Sequence, residues 1–141
     1  MVINRREKGN RAEREVVKTL SGWTGEKFSR RGTGNSGDDI ISPAKFPWSV
    51  EVKDHASVRF THLFDATKLL GDFFAQAVKN ATDSKKMPLL VVKIQGSWYA
   101  VEALIMAKTQ GCRAYLKNVF GDHSVIIRPF DQFLYDYDDE K

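Results

Sequence analysis

The chain has a single cysteine, Cys112, in 141 residues. This excludes an internal disulfide and any cysteine-based zinc site, and it suits a reducing cytoplasm, that of a host if a phage encodes the chain. Long apolar runs are also missing. The longest, Met87 to Val92, is interrupted by Pro88 and followed by Lys93, far short of the roughly 20 residues of a membrane span. The opening M-V-I-N-R-R-E-K brings bases with no apolar stretch behind them, so neither a secretory signal nor a membrane partner is expected. There is no internal repeat. The glycine-rich run R-G-T-G-N-S-G lacks the Gly-Lys-Ser/Thr ending of a P-loop, which argues against a nucleotide cofactor. The aromatic residues lack the spaced stacking pattern of a sheet that binds single-stranded nucleic acid.

What is present is one domain's worth of sequence, 42% apolar and 28% charged. Lysine and arginine number 22 against 18 aspartates and glutamates. Five of those acids (Asp131, Asp136, Asp138, Asp139 and Glu140) crowd into the last eleven residues, leaving 21 bases and 13 acids before them. The reading is therefore a domain over 1–130 and an acidic tail over 131–141, expected to fray or to fold back over the basic surface. So basic a body suits a polyanionic partner, nucleic acid being the commonest, with a solubilising surface charge as the alternative.

Periodicity predicts a helix from Arg5 to Leu20, capped by Asn4, stopped at Ser21-Gly22 and apolar through Val16, Val17 and Leu20. Glu13 shares that face, where a carboxylate is costly unless a cation meets it. Strands are expected near Lys27 to Arg31, at Asp38 to Ser42 and at Trp48 to Lys53. Helical spacing returns from Thr61 to about Ala81. A hairpin around Gly96 should join Leu89–Ile94 to Trp98–Glu102. A helix over Glu102 to Lys108 and a strand over Ser124 to Ile127 are weaker signals. This order suggests an α/β fold, one mixed sheet covered by helices.

In W-S-V-E-V-K the alternation sends Glu51 and Lys53 to one side and the valines to the other. Asp39 heads the preceding strand, and if the two strands are neighbours Asp39 and Glu51 can converge on one hard cation. Mg²⁺ suits such oxygen donors, with Mn²⁺ as a substitute. Glu13 could complete the site, and Lys53 would stand beside the attacking water. Three acids and a lysine suit phosphodiester hydrolysis, in which added negative charge must be neutralised. A decoy, Asp72 with Asp83-Ser84-Lys85, falls on a helix and its exit, where the groups would not converge.

With K-G-N-R-A-E-R-E on the first helix, R-R-G-T-G-N-S-G-D-D-I at the turn and S-V-E-V-K on the strand, the sequence resembles the PD-(D/E)xK nucleases. More narrowly it is similar to archaeal-type Holliday junction resolvases and their phage relatives, over roughly Lys8 to Glu102. The resemblance implies a restriction-endonuclease-like core and a catalytic set of Glu13, Asp39, Glu51 and Lys53, the three acids binding metal. It implies a homodimer that cuts four-way DNA junctions symmetrically, in recombination and repair. The family's proline is Asp38 here, and Asp39 is preferred as the ligand because the hydrophobic strand follows it. Arg14 and Arg31 match family positions that contact DNA. Arg30, Thr33, Asn35 and Ser36 join them as expected DNA contacts around the turn. Two rivals stay open: a restriction-like, nicking or repair nuclease on duplex or flapped DNA, and a basic DNA-binding protein with no activity. Gln76 is a further candidate for the site; His55 and His62 are read as loop or surface residues, and His123 has no recognisable partner in the sequence.

Overall fold

Helix α1 spans Arg5–Thr24 because Ala12, Val16 and Leu20, four residues apart, form one buried stripe. It runs past the expected stop at Ser21-Gly22. The chain breaks instead at Gly25, whose positive φ of 72° lets its N–H return to the Ser21 carbonyl at 2.9 Å. The computed structural model describes residues 5–32, 37–55, 58–59, 69–103, 116–120 and 123–138.

Strands β1 (Ser29–Arg30) and β2 (Ile40–Ile41) form a short antiparallel ribbon. Strand β3 (Trp48–Asp54) then enters a five-stranded sheet with β4 (Met87–Ile94), β5 (Ser97–Ala103), β6 (Leu116–Phe120) and β7 (His123–Pro129). Their order is β3-β4-β5-β7-β6, with β3 and β4 parallel and every other pair antiparallel. Helix α2 (Leu69–Ser84) makes the crossover that a parallel pair requires. Its expected beginning at Thr61 lies outside the described residues. The predicted hairpin turns on Gln95 and Gly96, both at positive φ (49° and 87°), as a two-residue turn demands.

The sheet is covered on both faces. Trp48, Val50, Val52, Leu89, Val91 and Ala100 pack beneath α1 and α3 (Phe130–Asp138), while Leu90, Val92, Ile94, Val101, Val125 and Ile127 pack beneath α2. Strand β4 is therefore buried on both faces, which explains its unbroken L-L-V-V run. The mixed sheet between helices is the expected architecture.

Three expectations differ from the structure. Glu102 and Ala103 end β5 instead of starting a helix, and the rest of that predicted helix lies outside the described residues. Strand β6 was not anticipated. Most plainly, the stretch expected to fray is helical through Asp138, with Phe133, Leu134 and Asp136 buried. Phe130, Phe133, Leu134 and Tyr137 recur at helical spacing, and their burial holds the segment down despite its acids. Among the described residues no helix is long and apolar enough to cross a membrane.

Candidate active site

The site begins at the turn before β2. The Asp39 N–H donates to the Val50 carbonyl at 3.1 Å, and the Arg31 N–H donates to the Asp39 carbonyl at 3.0 Å. The ribbon is thereby fixed beside β3. The adjacent acids take different tasks. Asp38 is only 5% exposed; its Oδ1 meets Arg31 Nη2 at 2.5 Å and its Oδ2 accepts from Ser49 Oγ at 3.0 Å. Arg31 Nε also donates to the Asp38 carbonyl at 2.8 Å. Gly37 has a φ of 110°, and a Cβ there would stand 3.3 Å from Arg31 Nε, so only glycine fits this corner without strain. Asp38 is thus a clamp on the turn. Asp39 Oδ2 accepts the Val52 N–H at 2.8 Å, which turns its carboxylate toward the middle of β3.

Glu51 is waiting there, 1% exposed on the α2 side of the sheet. Asn80 Nδ2 of α2 donates to Glu51 Oε2 at 2.8 Å, and Lys53 Nζ lies 3.7 Å from Oε1. One helical repeat earlier, the Phe73 ring lies under Lys53 Nζ, 5.1 Å from its centroid. The pairs Glu51–Asn80 and Lys53–Phe73 show α2 running back along β3. Burial, followed by the negative charge of Asp39 and a hydrogen bond between the two carboxyl groups, pushes the Glu51 pKa up to about 8; Asn80 and Lys53 oppose the shift.

Glu13 approaches from α1, around the edge of β3. Arg30 Nε donates to its Oε2 at 3.1 Å, and Arg30 Nη2 donates to Asn10 Oδ1 at 2.6 Å. This is the cation that a carboxylate on the inward face calls for. Burial first and the charge of Asp39 second still raise the Glu13 pKa, with Arg30 and Lys53 pulling the other way. Glu13, Asp39, Glu51 and Lys53 are therefore close enough to feel one another electrostatically, although they come from α1, the ribbon and β3.

Among the described residues no three His, Cys, Asp or Glu side chains form a ready-made metal cage. Mg²⁺ needs only one or two carboxylates, because it keeps several waters. Asp39 and Glu51 fit that requirement: hard oxygen donors, pressed together, one of them buried and holding its proton too tightly. A divalent cation relieves that repulsion.

The expected DNA contacts divide. Arg14 is half exposed and pairs with Glu7 at 3.0 Å. Arg30 and Arg31 are paired with Glu13 and Asp38 and stay partly exposed, 24% and 33% of their side chains. Thr33, Asn35 and Ser36 lie outside the described residues, as does His62. Gln76 is exposed on α2, between Phe73 and Asn80 in the chain, while His55 is exposed beside Phe73, ring centroids 6.2 Å apart. Asn80 was missed. Its only signal was a spacing of seven from Phe73, which puts both on one helix face but does not say what that face meets.

Asp38 and Asp39 can be told apart by experiment. Asp38→Ala is expected to cost about 3 kcal/mol, because Arg31 and Ser49 lose a buried partner. Asp39→Asn should change stability by less than about 1 kcal/mol yet remove metal-dependent activity. Urea unfolding alongside cleavage rates checks both, and the reverse ranking would exchange the two roles.

Comparison with known proteins adds a family. The family model described as phage putative PDDEXK endonuclease matches residues 4–126. No curated protein and no solved structure matches the chain.

Proposed function

Because the chain belongs to the phage PDDEXK endonuclease family, whose members act on DNA and typically use divalent metals, we propose that it is a Mg²⁺-dependent nuclease resolving Holliday junctions as a homodimer. The observation that carries the hydrolytic part is the Asp39 carboxylate held on the Val52 N–H at 2.8 Å, next in the strand to buried Glu51, with Lys53 Nζ 3.7 Å from the Glu51 carboxylate. Asp39 and Glu51 would hold the ion, and Glu13 would add a third carboxylate on the α1 side. When bound, the ion supplies neutralisation of phosphate charge and acidification of water. Asn80 fixes the Glu51 carboxylate. Lys53, held between Glu51 and the Phe73 face, directs its ammonium toward the attacking water or a phosphate oxygen. Arg30 and Arg31 act through Glu13 and Asp38 as positioning residues, leaving Arg14 as a direct backbone contact.

The preference for four-way junctions rests on the resemblance of the first helix, turn and strand to junction resolvases. Two sites related by a twofold axis would cut two strands symmetrically, selecting shape and backbone instead of base sequence. The test is cleavage of a synthetic immobile junction beside linear duplex and flapped DNA at matched salt, with and without Mg²⁺. Paired cuts confined to the junction are expected. Equal cutting of linear duplex would reassign the enzyme to general or repair cleavage. Salt-sensitive binding with no scission in Mg²⁺ or Mn²⁺ would leave a DNA-binding protein.

A further inference from the structure

Each acid of the site has one carboxylate oxygen tied to the protein. The Val52 N–H donates to Asp39 Oδ2 at 2.8 Å, Arg30 Nε to Glu13 Oε2 at 3.1 Å and Asn80 Nδ2 to Glu51 Oε2 at 2.8 Å. The first donor is backbone, and the second is a cation that also offsets the charge of its acid. Asn80 differs from both. It is a neutral, half-buried side chain of α2 acting on a carboxylate that is 1% exposed. It can therefore orient Glu51 without cancelling the charge a metal ion would need. The other oxygen, Oε1, has a different neighbour, the Lys53 ammonium at 3.7 Å. The two ends of the carboxylate are thus distinguished, and turning it over would cost the bond to Asn80.

How many oxygens an acid offers decides which divalent ion suits it. Ca²⁺ gathers about 6–8 oxygens at roughly 2.3–2.6 Å and often takes both from one carboxylate. Mg²⁺ demands near-ideal octahedral geometry at about 2.0–2.1 Å, uses one or two carboxylates and keeps several waters. To grip an ion with both oxygens, Glu51 would have to turn Oε2 away from Asn80. Held as it is, it offers one. The hydrogen-bond partners of ligating carboxylates also tune metal affinity. We propose that Asn80 is a positioning residue that limits Glu51 to one metal contact, so that the site prefers small octahedral ions, Mg²⁺ or Mn²⁺, to Ca²⁺. The assignment rests on the nuclease reading and names the class of ion that its site selects.

The test titrates Tm with Mg²⁺ and, separately, with Ca²⁺ at constant ionic strength and without DNA. Each protein is compared with its own metal-free value, since binding raises Tm according to affinity. The proteins are the parent, Asn80→Leu, Asn80→Ala and Gln76→Ala. Leucine keeps most of the volume but cannot donate; alanine serves if leucine disturbs the packing under α2. Gln76→Ala removes an exposed amide from the same helix. Both Asn80 variants are expected to bind Mg²⁺ roughly tenfold more weakly but Ca²⁺ less than about threefold more weakly. Gln76→Ala should leave the ratio of the two affinities unchanged. That ratio decides, because damage to the fold weakens both ions together. A loss for Ca²⁺ equal to or greater than that for Mg²⁺, no loss for either, or the same change of ratio in Gln76→Ala would overturn the proposal. Each of those results leaves the nuclease reading standing. A parent that neither ion stabilises, or an Asp39→Asn variant that Mg²⁺ stabilises as well as the parent, would overturn that reading and this proposal with it.

Discussion

Asp39→Asn and Glu51→Gln are each expected to lower metal-dependent cleavage by on the order of a thousandfold or more, while DNA binding without metal persists. Both changes keep the shape of the side chain and remove a carboxylate oxygen's charge where a cation must sit. Glu51→Gln should also show itself in stability. The Glu51 pKa is raised from 4.5 to about 8, so between those values the folded protein holds a proton that the unfolded chain has released. The stability this supplies is complete below pH 4.5 and is lost as pH rises through about 8. Metal-free Glu51→Gln should therefore show a flatter pH profile than the parent and exceed it above pH 8, by at least about 1 kcal/mol or roughly 3 °C in Tm. Added Mg²⁺ should stabilise the parent and not the variant. Normal cleavage by both variants would refute the site. A Glu51→Gln profile parallel to the parent's would show that Glu51 is not the group holding the proton.

A loss of stability of comparable consequence is expected at Arg128, which is 1% exposed. Its guanidinium pairs with Glu102 of β5 and, at 2.8 Å, with Asp136 of α3. Gln132 Nε2 donates to Asp136 Oδ1 at 2.7 Å, and the Tyr137 hydroxyl donates to Glu102 Oε2 at 3.2 Å. All three charges are buried, so each depends on the others to offset lost hydration. Arg128→Met leaves two carboxylates facing each other in the interior and should cost on the order of 3–5 kcal/mol, a large part of the stability of a domain this size. Adding Glu102→Leu and Asp136→Leu to it should recover at least half of that loss, because no unpaired charge then remains buried. Urea unfolding of the three proteins decides the matter. A single variant within about 1 kcal/mol of the parent would mean that the cluster is hydrated in solution.

The contrast between these regions shows where local pattern suffices. W-S-V-E-V-K announces its own geometry: neighbours two apart share a face, so Glu51 and Lys53 belong together before any packing is known. The same period logic recovers α1, the β4–β5 hairpin and the later part of α2. It fails in the last dozen residues for a physical reason. Phe130, Phe133, Leu134 and Tyr137 have helical spacing, but their interleaved aspartates read as solvated until Arg128 is known to wait beneath Asp136.

By itself the sequence determined the alternation of β3, the apolar stripe of α1 and the basic, cysteine-poor character of the chain, because these depend on neighbours within a few bonds. Only the tertiary structure decided that Asp38 is spent on Arg31 and Ser49 while Asp39 turns toward Glu51. It alone brought Asn80, in place of Gln76, onto the Glu51 carboxylate, gave Glu13 its Arg30 and put Asp136 inside. Each of these depends on which surfaces meet when helices close over a sheet, and residues 7 to 29 positions apart carry no local sign that they will become partners.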